Sequence, residues 1–160
     1  MNNDEYLVAR IGRLYFGIYC RDVKNVYTQR FRMSRLHYQS HIFRGVTHIN
    51  GDLVQVIDLR RRIQMESEGE PDEVMTMISF QTDMSNMYAV VVDQIVGLKY
   101  LPKECASPHP GHLNNTHANI NLLFPMIAIL DDGMMIHLLD STYLEKTEPI
   151  EEEAGDLELF

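Results

Sequence analysis

The chain has 160 residues, 45% of them hydrophobic and 9% aromatic, which suits one globular domain able to build its own core. A net charge of −9 argues against broad contact with nucleic-acid phosphates or anionic lipid. Two cysteines, Cys20 and Cys105, cannot form a disulfide framework, no apolar run approaches the ~20 residues of a membrane span, and the acidic opening Met1-Asn2-Asn3-Asp4-Glu5 is no signal peptide, so the sequence reads as a reduced, cytoplasmic protein.

Strand-sized runs dominate the chain. Residues 6–11, the turn Gly12-Arg13 and residues 14–20 predict a hairpin. Leu53-Val54-Gln55-Val56-Ile57 is a short apolar strand bounded by Gly51 and Asp58. Residues 74–80 and 87–92 flank the turn-rich spacer 82–86 and predict a second hairpin. Residues 122–130 and 134–139 flank Asp131-Asp132-Gly133, a third turn signal. No segment carries a long 3.6-residue period, so helices are expected to be few and short. Leu53 and Ile57 alternate with Val54 and Val56, making that strand apolar on both faces. Small barrels packed against each other need such strands; a sheet with one wet face does not.

Charge is unevenly spread: residues 1–65 sum to +6 and residues 66–160 to −15. A basic lobe of that kind suits an acidic partner as well as a solvated surface. The acidic excess lies in Glu66-Ser67-Glu68-Gly69-Glu70-Pro71-Asp72-Glu73, expected to be a mobile loop, and in residues 147–160, expected to be an acidic disordered tail.

The chain also repeats itself. Gly51-Asp52-Leu53-Val54-Gln55-Val56-Ile57-Asp58 matches Gly133-Met134-Met135-Ile136-His137-Leu138-Leu139-Asp140 at an offset of 82, and residues 15–26 resemble 87–98 at an offset of 72. Each half thus has an opening hairpin, a variable stretch and a Gly–strand–Asp unit, which predicts two similar β units. Asp22, Asp58, Asp93 and Asp140 all stand where a strand run ends; their recurrence points to capping of a following turn rather than to acid–base chemistry.

With those runs placed, Phe43-Arg44-Gly45-Val46-Thr47-His48-Ile49-Asn50-Gly51-Asp52-Leu53-Val54-Gln55-Val56-Ile57-Asp58-Leu59-Arg60 resembles the signature of the CheW-like domain family. Phe16-Gly17-Ile18 with Val23-Lys24-Asn25-Val26, Ala89-Val90-Val91-Val92-Asp93-Gln94-Ile95 and residues 131–140 resemble three further family segments, in order. The resemblance implies an all-β fold of two SH3-like five-stranded β-barrel subdomains packed together. The domain would occupy residues 1–146, with the barrels roughly 15–80 and 6–14 plus 81–146. It implies a non-catalytic chemosensory adaptor, without cofactor or metal, in a chemotaxis or pilus-motility type system. Its partners would be the regulatory domain of a CheA-type histidine kinase and the tip of a methyl-accepting chemoreceptor, with no nucleic acid and no membrane insertion. It would be cytoplasmic, at membrane receptor arrays.

Carried over position by position, the kinase- or receptor-binding residues are Val23, Asn25, Val26, Gly45, Asn50, Gly51, Arg60, Val90 and Val92. Two positions depart from the family: Asn25 stands where a Glu is common and Asn50 where an Arg is common. Loss of both charges together predicts that Asn25 and Asn50 face one another within hydrogen-bonding distance. Substituting a charge at Val26 or Gly45 is expected to weaken partner binding without unfolding the chain.

Other features carry less. The ten methionines, Met75, Met77 and Met135 among them, read mainly as core filler, with a secondary role as adaptable groove lining. Histidines 109, 112 and 117 in one stretch, and His37 with His41 at i, i+4, raise a metal-dependent enzyme as a rival, yet no familiar ligand set is completed. Asn114-Asn115-Thr116 matches a glycosylation acceptor of no consequence in the cytoplasm. Nucleophile elbows and phosphate-cradling glycine loops are absent from the sequence. Arg60-Arg61-Arg62 is a local basic triplet, a candidate for the kinase-facing surface rather than a nucleic-acid footprint. A β-barrel peptide- or protein-binding module outside a kinase array is the alternative function.

Overall fold

The computed structural model describes residues 3–37, 40–63, 65, 74–81, 87–108 and 120–144. Among the described residues eleven strands form two sheets. The hairpin β1 (Asn3–Ile11) and β2 (Leu14–Tyr19) is followed by a 3-10 turn and by β3 (Val23–Arg30). Next come β4 (Phe43–Ile49), β5 (Asp52–Asp58) and the single-turn α1 (Leu59–Arg62). The hairpin β6 (Val74–Gln81) and β7 (Met87–Val92) leads into β8 (Gln94–Pro102), a 3-10 turn and β9 (Ala106–Pro108). After α2 (Ile120–Leu123), the hairpin β10 (Met126–Ile129) and β11 (Met135–Leu139) ends in a 3-10 turn at Ser141–Tyr143.

The five-stranded sheet runs β3-β6-β7-β5-β4 and the six-stranded sheet β8-β1-β2-β11-β10-β9. The internal repeat is visible rung by rung. In the first sheet Val26 pairs with Ile78, Ile78 with Val90, and Val90 with Ile57. In the second, Leu98 pairs with Leu7, Leu7 with Ile18, and Ile18 with Leu139. Val26 and Leu98, like Ile18 and Val90, are 72 apart; Ile57 and Leu139 are 82 apart. Both sheets close in the same way. The chain beyond β3 bridges back from Ser34 to Val46, and β9, the continuation of β8, pairs Ala106 with Ala128. Each sheet is therefore a small SH3-like barrel, and the stagger between its first strand and that strand's own continuation is what closure requires.

The barrels exchange strands. The β1–β2 hairpin lies in the six-stranded sheet, but the chain then crosses to supply β3 to the other; β7 likewise hands over to β8. The division consequently falls between β2 and β3 and between β7 and β8, not at the expected 14/15 and 80/81. The sequence pattern could not settle this, because a hairpin and its crossing strand look the same whichever sheet receives the strand. The segment 147–160 lies outside the described residues.

Alternation then sorts the side chains. Met87 and Ala89 fill the five-stranded barrel with Val54, Val56, Met75 and Met77, while Tyr88, Val90 and Val92 face the layer between the barrels. On the other side Leu7, Ala9 and Ile11 enter that shared layer, and Val8 packs inside the six-stranded barrel with Ala128, Ile136 and Leu138. Strands with both faces buried are what two packed barrels demand. Leu53 departs from the expected pattern: it lies at the open end of β5 and is exposed.

Two of the four strand-end aspartates cap turns. Asp58 accepts hydrogen bonds from the Arg60 and Arg61 N–H groups at 3.0 and 3.3 Å, and Asp140 from the Thr142 N–H at 3.1 Å. Asp93 instead stands at the β7–β8 crossing. It accepts from the Gly12 N–H and pairs with Arg60, both at 2.7 Å, clasping the β1–β2 turn to α1. Asp22 closes the 3-10 turn before β3 and caps no helix.

Candidate interaction surface

β3 is an edge strand with mostly exposed residues. A bulge between Val23 and Asn25 bends it. There the Asn25 N–H donates to Ser79 Oγ at 3.1 Å, and the Ser79 hydroxyl donates to Asn25 O at 3.3 Å. Val23 is partly buried against the layer between the barrels, Asn25 projects from an exposed position, and Val26 is 42% exposed.

Asn50 and Gly51 form the two-residue β4–β5 turn. Their φ angles are 51° and 87°, both left-handed, as a hairpin turn matched to strand twist needs. Asn tolerates that conformation where most side chains do not. In the ladder Asn25 stands level with Ser79, Ala89 and Val56, whereas Asn50 lies past the last rung, Ile49–Asp52. The ladder does not bring Asn25 and Asn50 face to face, as the paired loss of charge had predicted.

The remaining expected positions are structural in their surroundings. Gly45 is buried at the barrel seam with φ 145°, and a Cβ there would overlap the backbone carbonyl of Ser34. A charge at Gly45 therefore strikes the fold first, contrary to the expectation that the chain would tolerate it. Val90 and Val92 are buried between the barrels, and Val92 lines a pocket of about 210 Å³ together with Arg60, Asp58 and Asp93. Arg60 is held by Asp93, and Arg61 lies 3.5 Å from the Asp58 carboxylate and donates to the His41 carbonyl. Arg62 is fully buried, donating to the carbonyls of Leu144 and Tyr143 at 2.8 Å each; desolvation pushes its pKa down to about 10. The basic triplet is thus mostly internal wiring.

Exposed apolar side chains reveal what the carried-over positions missed. Val26 on β3 is matched, 72 residues on, by Leu98 on β8, 60% exposed. Leu53 on β5, 61% exposed, is matched, 82 residues on, by Met135 on β11, 53% exposed. The molecule therefore presents apolar side chains at repeat-equivalent places on both barrels. The sequence held the signal: both offsets were visible, and only burial was lacking. Large side chains left in water in related pairs mark contact surfaces better than scattered ones do.

Among the described residues no group of three or more His, Cys, Asp and Glu could hold a metal ion; histidines 109, 112 and 117 lie outside them. Burial pushes the Cys20 thiol up, the wrong direction for a nucleophile. Among the described residues no helix is long and apolar enough to cross a membrane.

Comparison with known proteins follows the same line. The family model of the CheW-like domain matches residues 5–147. No curated protein sequence matches the chain. Among solved structures, the scaffolding protein TtCheW from Thermoanaerobacter tengcongensis superposes with a TM-score of 0.76 at 19% identity, over 93% of this chain and 97% of that one. With the match running across both barrels, the chain belongs to the CheW-like domain family.

Proposed function

We propose that this protein is a non-catalytic chemosensory adaptor that couples chemoreceptors to a CheA-type histidine kinase, in a chemotaxis or pilus-motility type system at cytoplasmic receptor arrays. The observation that carries this reading is the repeat-related pairing of exposed apolar residues, Val26 with Leu98 and Leu53 with Met135. An adaptor needs at least two contact faces on one rigid body, and a duplicated barrel supplies them. Affinity would come from burying these side chains, with individual contacts modest in area and strengthened by multivalency in an array. Val26, Asn25, Asn50 and Gly51 lie on the exposed side of the five-stranded barrel's edge and hairpin.

The neutral Asn25 and Asn50, where the family resemblance leads one to expect charges, favour one variant of this reading. In it the chain is a CheW-fold binding module whose kinase or receptor partner has diverged. The test is a calorimetric titration against the regulatory domain of the same organism's CheA-type kinase. Micromolar or tighter binding is expected, weakened at least tenfold by Val26→Asp. Wild-type protein that is folded and shows no binding would refute kinase coupling and direct the search to the receptor tip.

A further inference from the structure

A groove of about 360 Å³ lies between the chain beyond β3 and the β4–β5 hairpin. Its floor includes the buried Phe31 and Val46; Arg30, Arg32, His48 and the exposed Leu53 stand around it. None of the residues lining it is acidic. The groove is built, because the Arg32 carbonyl accepts a hydrogen bond from Thr47 Oγ1 at 2.7 Å and Ser34 bridges to Val46. Cations around an apolar floor suit a ligand carrying both carboxylates and apolar side chains.

We propose that this groove binds the chain's own acidic segment, residues 148–160. That stretch, ending Asp156-Leu157-Glu158-Leu159-Phe160, holds six carboxylates, no Lys or Arg, and the apolar Ile150, Leu157, Leu159 and Phe160. In an extended segment Leu157 and Leu159 share one side and Asp156 and Glu158 the other, so leucines descend toward Val46 and Leu53 while carboxylates meet the rim. Reach is sufficient. The Leu144 carbonyl is fixed to Arg62 just beyond β5, and Leu53 lies near the far end of that strand, about 17 Å along it. Residues 145–160 span up to ~50 Å when extended. Tethering supplies a millimolar effective concentration, so even a weak contact populates the docked state. Docking would cover Leu53 and thereby one of the two apolar faces; the docking itself does not depend on the adaptor reading.

The test is the ¹H–¹⁵N spectrum of the full chain, compared among wild type, Arg32→Glu, the double variant D156K/E158K, and the two combined. Reversal of either charge set is expected to move the amide signals of Val46, His48 and Leu53 in the same direction, as raised salt does. The combined variant is expected to recover at least half of that shift. Unmoved signals across the six-stranded sheet would show that the fold is intact. Three results would overturn the proposal: changes confined to residues 148–160, absence of recovery in the combined variant, or shifts that depend on protein concentration, which would assign the groove to a second copy.

Discussion

Arg62 offers the most quantitative test of how the barrels are tied together. Its guanidinium is buried and donates from Nε to the Leu144 carbonyl and from an Nη to the Tyr143 carbonyl, at 2.8 Å each, so α1 of one barrel holds the final turn of the other. Desolvation lowers its pKa from 12.5 to about 10, which puts the cost of burying the charge at about 3 kcal/mol. Two charge-assisted hydrogen bonds contribute about 3–6 kcal/mol together. The balance favours the native arginine by about 1.5 kcal/mol over Arg62→Met, which keeps the straight stem and removes the donors. For a chain of this size such a loss lowers Tm by about 3–6 °C. Arg62→Ala should cost about 2 kcal/mol more, because it also opens a cavity. Urea unfolding followed by circular dichroism measures both. If Arg62→Met matches or exceeds wild-type stability, burial of the charge outweighs its bonds and the clamp does not stabilise the fold, as happens for some buried ion networks.

Two further predictions concern stability. Gly45→Ala should cost at least about 2 kcal/mol in thermal unfolding, since its Cβ would lie against the Ser34 carbonyl at a φ only glycine adopts easily; a neutral result would mean the seam yields. His137, whose Nδ1 lies 3.2 Å from the Tyr15 carbonyl and whose ring meets Phe124 edge-on, has its pKa lowered chiefly by burial, so the unfolded chain takes up the proton first as pH falls. Its contribution is complete above the unfolded pKa of about 6.5 and is lost as pH falls through the lower folded value; the difference between the pH–stability curves of wild type and His137→Gln should therefore change below about pH 6.5 and stay flat above it.

The three hairpins were legible because turn residues and apolar runs coincide there. Others were hidden for physical reasons. β3 is an edge strand, and Lys24, Asn25, Thr28, Gln29 and Arg30 face water, so it carries no hydrophobic period. β8 misleads in the opposite sense, because Leu98 and Tyr100 are apolar and exposed. β4 was betrayed only by Asn50-Gly51, a hairpin turn signal easily overlooked beside Gly45 and two basic residues in one short run. Arg62 could not have been separated from Arg60 and Arg61 by sequence, since its burial depends on a partner 82 residues away. The repeat was the most informative sequence feature, because its two offsets reproduce strand pairing and barrel closure and also relate the exposed apolar residues.

The strand exchange explains why such a duplication makes a rigid connector rather than two linked modules. β3 completes one barrel and is reached from β2 of the other; β8 completes the second and is reached from β7 of the first. The two crossings tie the barrels together through the chain itself, and the largest apolar cluster is shared between them. Asp93 stands at one of these crossings, holding Gly12 from one barrel and Arg60 from the other. Separating the barrels would therefore break core and clasp together, a cost far above the few kcal/mol by which a weak partner biases an equilibrium. The spacing between Val26 and Leu98, and between Leu53 and Met135, is thus a fixed property of the fold. An adaptor built this way transmits position: what is bound at one face is held at a set distance and orientation from what is bound at the other.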